Sequence, residues 1–272
     1  RTGGDDDAET VLAYEFDPAG ACLLTPSTSL GIEVRSRNLS ISETDCSRSA
    51  LFAGPVVGYS SQTWWATLTV LPQVAKLKGD DVDLDLLPVL TLNEGDAGAY
   101  INAAALICKE RGTNAVNVGI YRHQKQGKRQ LGLMINPANH GNYIRAEYED
   151  HNEPMEVALA IGHHPALNLA AVTKQAGVGQ ELEIAGAFLG EPLEVVKAET
   201  VNLMVPARCE IVIEGVVPPK KRHYEGPFGE WPHYYYKEGE QPYIEVTAIT
   251  MRKNPIYQCI HSAHFEHNII GA

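Results

Sequence analysis

No stretch of this 272-residue chain reaches the roughly 18 consecutive apolar residues that a membrane-spanning helix needs. Cysteine is sparse and unpatterned: Cys22, Cys46, Cys108, Cys209 and Cys259 are odd in number and scattered, with no Cys-x-x-Cys pair. That excludes a zinc knuckle, argues against a disulfide framework and leads to an expectation of reduced thiols in a cytoplasmic protein. Basic residues are in deficit, with 22 Lys and Arg against 34 Asp and Glu, a formal charge of −12. A nucleic-acid or membrane-surface partner requires a basic face that this balance does not supply. An anionic ligand would need a local basic or metal site. No internal repeat is present, and no signal-peptide pattern opens the chain. The sequence starts at Arg1 without a methionine, so the native N-terminus is expected to lie upstream.

Residues 1–80 carry little readable pattern. Segments 10–14 and 21–24 read as short buried runs, 36–49 as a serine-rich loop, and Trp64 and Trp65 as packing residues. The charged, glycine-broken run at 76–81 reads as a junction, which sets the domain boundary between residues 81 and 82. Beyond it the strand signals multiply. Residues 116–122 and 155–161 read as strands, as do the β-rich runs at 182–188, 193–205, 209–217, 243–251 and 256–260. Residues 100–109 form an apolar run that periodicity alone leaves open between helix and strand. One helix is convincing, opened by Pro165 in the favoured first turn. Many strands with one helix point to an antiparallel barrel or sandwich.

The chemistry-bearing stretch is Glu225-Gly226-Pro227-Phe228-Gly229-Glu230. Its glycines and proline suit neither a helix nor a strand interior, so it reads as a shaped loop. A rigid loop presenting two carboxylates suits acid–base work, provided one carboxyl is held protonated near neutrality. On its own the hexapeptide equally describes a surface turn with two solvated glutamates. Asn117, His140 and Glu181 offer an amide oxygen, an imidazole nitrogen and a carboxylate. That is a donor set for Mn²⁺ or Mg²⁺ that also holds a phosphate, if the three meet; otherwise they are a loop histidine and two surface polar residues. Arg122 ends an apolar run and needs an anionic partner, either a glutamate or a substrate carboxylate gripped bidentately.

The runs N-V-G-I-Y-R at 117–122, I-G-H-H-P-A at 161–166, Q-E-L-E-I-A-G at 180–186 and G-E-P-L-E-V-V at 190–196 share a pattern with P-A-R-C-E-I-V-I-E-G at 206–215, E-G-P-F-G-E at 225–230 and R-K-N-P-I-Y at 252–257. In this order they resemble the UbiD family of reversible (de)carboxylases, which use prenylated FMN. The resemblance covers residues 82–272, and the E-G-P-F-G-E loop is its most specific part. It implies an α+β fold: a split β-barrel flavin-binding domain over 82–272, a loosely matched N-terminal α/β region over 1–81, and a usual C-terminal domain absent from this chain, expected either because the sequence is a fragment or because the remainder belongs to another chain. That further domain is expected to build part of an oligomer interface and to supply a basic residue near the cofactor phosphate.

The resemblance also implies roles. Arg122, Glu225 and Glu230 fall on the catalytic network, with Arg122 and Glu225 orienting the substrate carboxylate and Glu230 donating the proton. Asn117, Val118, Gly119, Ile120, Arg122, Asn139, His140 and Glu181 fall on cofactor-binding positions, and Asn117, His140 and Glu181 on metal ligands. The expected cofactors are prenylated FMN with Mn²⁺ or Mg²⁺, and K⁺ as a further ion. The expected reaction is reversible decarboxylation of an aromatic, heteroaromatic or α,β-unsaturated acid. A flavin prenyltransferase would supply the cofactor, and the assembly would be a homo-oligomer. Two other readings stay open: a metal-dependent hydrolase, and a non-catalytic flavin-binding or assembly subunit. Trp231 stands where a pocket wall is expected; it would narrow the pocket or stack on a flat ring. Residues 234–236 read as an aromatic strand packing on the barrel. His261, His264 and His267 read as structural or substrate-proximal, and His163 and His164 as the turn entering the helix, with a weaker reading as a cofactor contact.

Overall fold

In a computed structural model the chain divides into two units, Arg1–Pro72 and Gln73–Ala272. The structure describes the strand backbones between residues 11 and 69, and residues 75–173, 179–236 and 238–271, with side chains described from residue 76 to 268. The division falls nine residues ahead of the boundary expected from composition.

The described residues of the first unit are all strand, where an α/β region was expected. Val11–Phe16 and Ala19–Thr25 pair end to end along one edge of the long strand Thr28–Ile41. Cys46–Ser60 pairs along its other edge and is followed by Trp65–Thr69. The serine-rich stretch expected as a loop lies largely within two of these strands, with Ser36 opposite Leu51 and Asn38 opposite Ser49. Trp64, and the side chain of Trp65, lie outside the described residues.

The second unit is a mixed α/β domain built on a seven-stranded antiparallel sheet. Its order runs Gln130–Gly132, Tyr243–Met251, Ile211–Val217, Met155–Ile161, Ala105–Lys109, Val116–Ile120. Ala75–Lys78, which overlaps the expected junction, pairs with Tyr243–Met251 and so belongs to this sheet. Among the described residues its two edges do not pair, so the ladder is open and no closed barrel forms.

Period-2 alternation sorts the central strands into two cores. Leu106, Cys108, Val157, Leu159 and Ile161 join Ile211, Ile213 and Ile244 on one face. Ala105, Ile107, Ala158 and Ala160 point to the other, where Leu167, Ala170 and Ala185 of two helices cover them. Three alanines on that face leave room for helix backbones to approach the sheet closely, which brings the helix ends near the Val116–Ile120 edge strand.

Those helices are Pro165–Ala171 and Glu181–Leu189. The second was expected as a strand over 182–188. Ala185 and Ala187 favour helix, Leu182 and Ala185 fall on one helical face against the core, and Gly190, at φ 75°, ends it in the left-handed conformation. A further helix, His140–Asp150, starts at a residue expected in a loop. Residues 256–260 form no strand. Asn102 takes the place of a neighbouring strand there, donating to the Ile260 carbonyl at 2.5 Å and accepting the Ile260 N–H at 3.1 Å. Among the described residues no helix is long and apolar enough to cross a membrane.

Candidate active site

The Val116–Ile120 strand carries chemistry at both ends. Arg122, two residues beyond it, bridges to Met134 by its backbone and is only 6% exposed. A guanidinium that dry requires anionic partners, and it has two. Nε and Nη2 donate to Oε1 and Oε2 of Glu225 at 3.0 and 2.8 Å, a parallel fork, while Nη1 donates to Glu230 Oε1 at 2.5 Å. Its Cζ also lies 5.0 Å from the Phe228 ring centroid and 5.2 Å from that of Tyr236, within cation–π range of both. Burial works against the charge, but the hydrogen bonds and charges of Glu225 and Glu230 outweigh it and raise the Arg122 pKa. The two carboxylates differ in exposure: the Glu225 side chain is 1% exposed and that of Glu230 is 22% exposed. Glu225 fixes the arginine, and Glu230 is the member that a ligand or water can reach.

The loop between them owes its shape to local chemistry. His223–Glu225 pairs with Gly239–Gln241, and Phe228–Gly229 with Tyr235–Tyr236. The chain passes from one of these nested ladders to the next through Gly226, whose φ of 95° suits glycine, and the Gly226 N–H donates to Gln124 Oε1 at 3.3 Å. Tyr100 is fully buried beside this loop, its ring centroid 4.5 Å from that of Phe228 and its hydroxyl donating to the Pro227 carbonyl at 3.2 Å. Burial, then the negative charge of Glu225, pushes its pKa well above the usual phenol value.

At the other end of the strand is a cleft of about 510 Å³, into which Asn117, His140 and Glu181 all come. Val118, Gly119, Ile120 and Asn139 line it too. Asn139 caps the helix that His140 starts, and Glu181 starts the next one. Two glycines pack closely beside the cleft: a Cβ on Gly119 or on Gly141 would lie 2.6 Å from the Tyr121 hydroxyl, so that side chain would have to shift. Glu181 is 4% exposed, and its Oε2 is buried with no hydrogen-bond partner. Burial raises its pKa, opposed by backbone N–H groups of Glu181 itself, Gly179 and Val118 and by the nearby His140. A buried carboxylate oxygen without a donor, beside an amide and an imidazole, fits a hard divalent cation. No three His, Cys, Asp or Glu converge among the described residues, so a cation here depends on the Asn117 amide as a ligand.

The structure thus brings together each triplet singled out in the sequence. His163 and His164 line neither group; the His163 Nδ1 meets the His164 carbonyl, and His164 Nδ1 accepts the Ala166 N–H to cap the helix. His261 and His264 stack at 4.6 Å. His267 is drawn down in pKa by burial, against the opposing charge of Glu230, which puts it near the loop. Trp231 is half-exposed. Sequence reasoning missed Tyr100, Asp96 and Gln124, all held to the loop by contacts across more than a hundred residues. It read Tyr236 only as packing; the ring covers Arg122 while nearly half of it stays exposed.

The sequence model of the 3-octaprenyl-4-hydroxybenzoate carboxy-lyase Rift-related domain matches residues 66–264, and that of a family of unknown function matches residues 6–94. A phenolic acid decarboxylase of Bacillus subtilis is 35% identical over 184 residues, covering 66% of this chain and 39% of the relative. The UbiD-class enzyme HmfF from Pelotomaculum thermopropionicum, solved with FMN, is 44% identical with a TM-score of 0.71, over 73% of this chain and 44% of that one. An evolved dimeric form of HmfF, solved with prFMN, gives 45% and 0.70 over 73% and 46%. The chain spans about two fifths of the length of the curated relative.

Proposed function

Because the chain belongs to the UbiD family, we propose that it carries the flavin site and proton donor of a carboxy-lyase. The reaction is the reversible, non-oxidative decarboxylation of an aromatic, heteroaromatic or α,β-unsaturated acid. The observation that carries this reading is the buried Arg122 held between Glu225 and the more open Glu230. A guanidinium fixed on one side by the buried Glu225 side chain presents its remaining donors in a set direction, which suits gripping the carboxylate of a substrate.

The relatives solved with FMN and prFMN support a prenylated FMN as the resident cofactor; when bound, it supplies the electron sink that lets the carbon–carbon bond to the carboxylate break. Val118, Gly119, Ile120 and Asn139 would line its site, and Asn117, His140 and Glu181 would hold Mn²⁺ or Mg²⁺ against its phosphate. Five residues of extended backbone separate Asn117 from Arg122, roughly 16 Å at the usual strand rise. One end would hold phosphate and the other the reacting end of the substrate.

Arg122 orients the substrate carboxylate, and Glu225 keeps the arginine's charge balanced during and after CO₂ departure. The electron pair of the broken bond ends on the substrate carbon, which takes the proton from the Glu230 carboxyl. Water then returns a proton to Glu230. Phe228 and Tyr236 lie within cation–π range of the guanidinium and would help to hold its charge in place. The split barrel is part of this proposal, as are a homo-oligomeric assembly and a flavin prenyltransferase as supplier. The test is a mass spectrum of the ligand released on denaturing the full-length protein, with CO₂ release from a panel of cinnamic, hydroxybenzoic and furoic acids. A prenylated flavin with CO₂ from one acid class is expected; a protein that binds no flavin and releases no CO₂ overturns the reading.

A further inference from the structure

The turn at residues 93–97 grips the catalytic loop at three points, from more than a hundred residues away. The Ala97 N–H donates to the Pro227 carbonyl at 2.9 Å, and Asp96 Oδ1 accepts the Gly229 N–H at 2.8 Å. The Gly95 N–H donates to the Tyr235 hydroxyl at 2.9 Å, on the ladder opposite Gly229. The turn is itself braced. Asp96 Oδ2 accepts the Asn93 N–H at 2.9 Å, the Asp96 N–H donates to the Asn93 carbonyl at 3.0 Å, and Asn93 Nδ2 donates to the buried Ser262 hydroxyl at 2.9 Å. The fit leaves no slack at Gly229, where a Cβ would lie 2.7 Å from Asn93 Nδ2.

We infer that Asp96 is a positioning residue for Glu230. Resting on the proton-donor reading above, its carboxylate sets the reach of that acid toward the substrate carbon. The two oxygens of Asp96 act separately. One fixes the amide immediately before Glu230, and the other fixes the turn that carries the carboxylate. The next amide, that of Glu230, donates to the Tyr234 carbonyl at 3.0 Å. Both peptide N–H groups that set the direction of the Glu230 side chain are therefore satisfied from outside the hexapeptide. Charge-assisted bonds from backbone N–H to carboxylate are among the stronger hydrogen bonds, and a small misplacement of a catalytic group costs on the order of 10²-fold in rate. Asp96→Asn keeps an acceptor for only one of the two N–H groups; Asp96→Ala keeps neither.

The test compares Asp96→Ala, Asp96→Asn, Glu230→Gln and the Asp96→Ala/Glu230→Gln double variant in the full-length, flavin-loaded protein. Asp96→Ala is expected to lower kcat by about 30–100-fold, with KM and flavin content within about twofold of the parent. Asp96→Asn should recover part of the loss. The double variant should be no slower than Glu230→Gln alone, because the aspartate acts only through that glutamate. Amide hydrogen exchange at residues 226–230 should quicken in Asp96→Ala, while the rest of the sheet keeps its protection. A double variant much slower than Glu230→Gln, or loop exchange unchanged in Asp96→Ala, overturns the inference. If the parent releases no CO₂ while loop exchange still responds to Asp96, the clamp stands as a positioning device and the decarboxylase reading is what fails.

Discussion

Arg122 and Glu225 form a two-pronged ion pair at 3.0 and 2.8 Å, with side chains only 5% and 1% exposed. The third member, Glu230, is 22% exposed. Breaking a buried pair by removing one partner costs roughly 3–5 kcal/mol, whereas losing a partly solvated charged hydrogen bond costs no more than about 3 kcal/mol. Glu225→Ala should therefore lower the urea midpoint far more than Glu230→Ala. Equal losses in the two variants would show that the pair is not the anchor of the site.

Glu230→Gln keeps the size of the side chain and an acceptor oxygen for Arg122 but cannot supply an acidic proton. Flavin content should stay at the parental level, while CO₂ release and solvent-deuterium incorporation at the reacting carbon fall by 10²-fold or more, the scale of general-acid catalysis. A variant that turns over at the parental rate removes the proton-donor role and leaves Glu230 as a partner of Arg122 alone.

The sequence was legible wherever one local run carries the physics. Met155–Ile161 and Tyr243–Met251 have enough apolar residues over a short length to read as strands, and they are strands. Residues 182–188 misled because Leu182, Ile184 and Phe188 alternate with small and charged residues as a strand would, while the alanines between them favour helix. Residues 225–230 announced themselves through glycine, proline and paired carboxylates. Their supports did not: Asp96 and Tyr100 sit 133 and 127 residues from their partners in the loop, and only folding sets those pairs. Residues 256–260 looked like a strand because Ile256, Tyr257 and Ile260 are β-favouring residues, but the bonds that hold Ile260 come from the Asn102 side chain.

At the cleft, the buried and unpartnered Oε2 of Glu181 sets the third expectation. A carboxylate in that state is costly unless a cation takes it up. Glu181→Gln and His140→Ala should each cut the metal bound per chain and the flavin retained through gel filtration by at least tenfold, with the fold intact by circular dichroism. Added Mn²⁺ should restore flavin retention in the parent stripped by chelator but not in either variant. Undiminished metal content in both variants would move the cation elsewhere.

The acid stability of the protein should be governed in part by His123, which follows Arg122 in the chain and is fully buried. Its Nδ1 meets the Gly132 carbonyl at 3.3 Å, so the neutral ring donates there and leaves Nε2 buried with no partner. Burial, with a small opposing effect from that carbonyl, lowers its pKa from 6.5 to about 4. The unfolded chain therefore binds this proton at a pH where the folded protein does not. Its contribution is fully present above pH 6.5 and is lost as the pH falls through about 4, a total of roughly 3 kcal/mol. In His123→Gln the amide can still donate to Gly132 but takes up no proton. Urea midpoints of the parent and of this variant, measured from pH 7 to pH 4, should separate, with the parent falling more steeply. Parallel curves would mean that His123 is protonated in the folded state or that water reaches its Nε2.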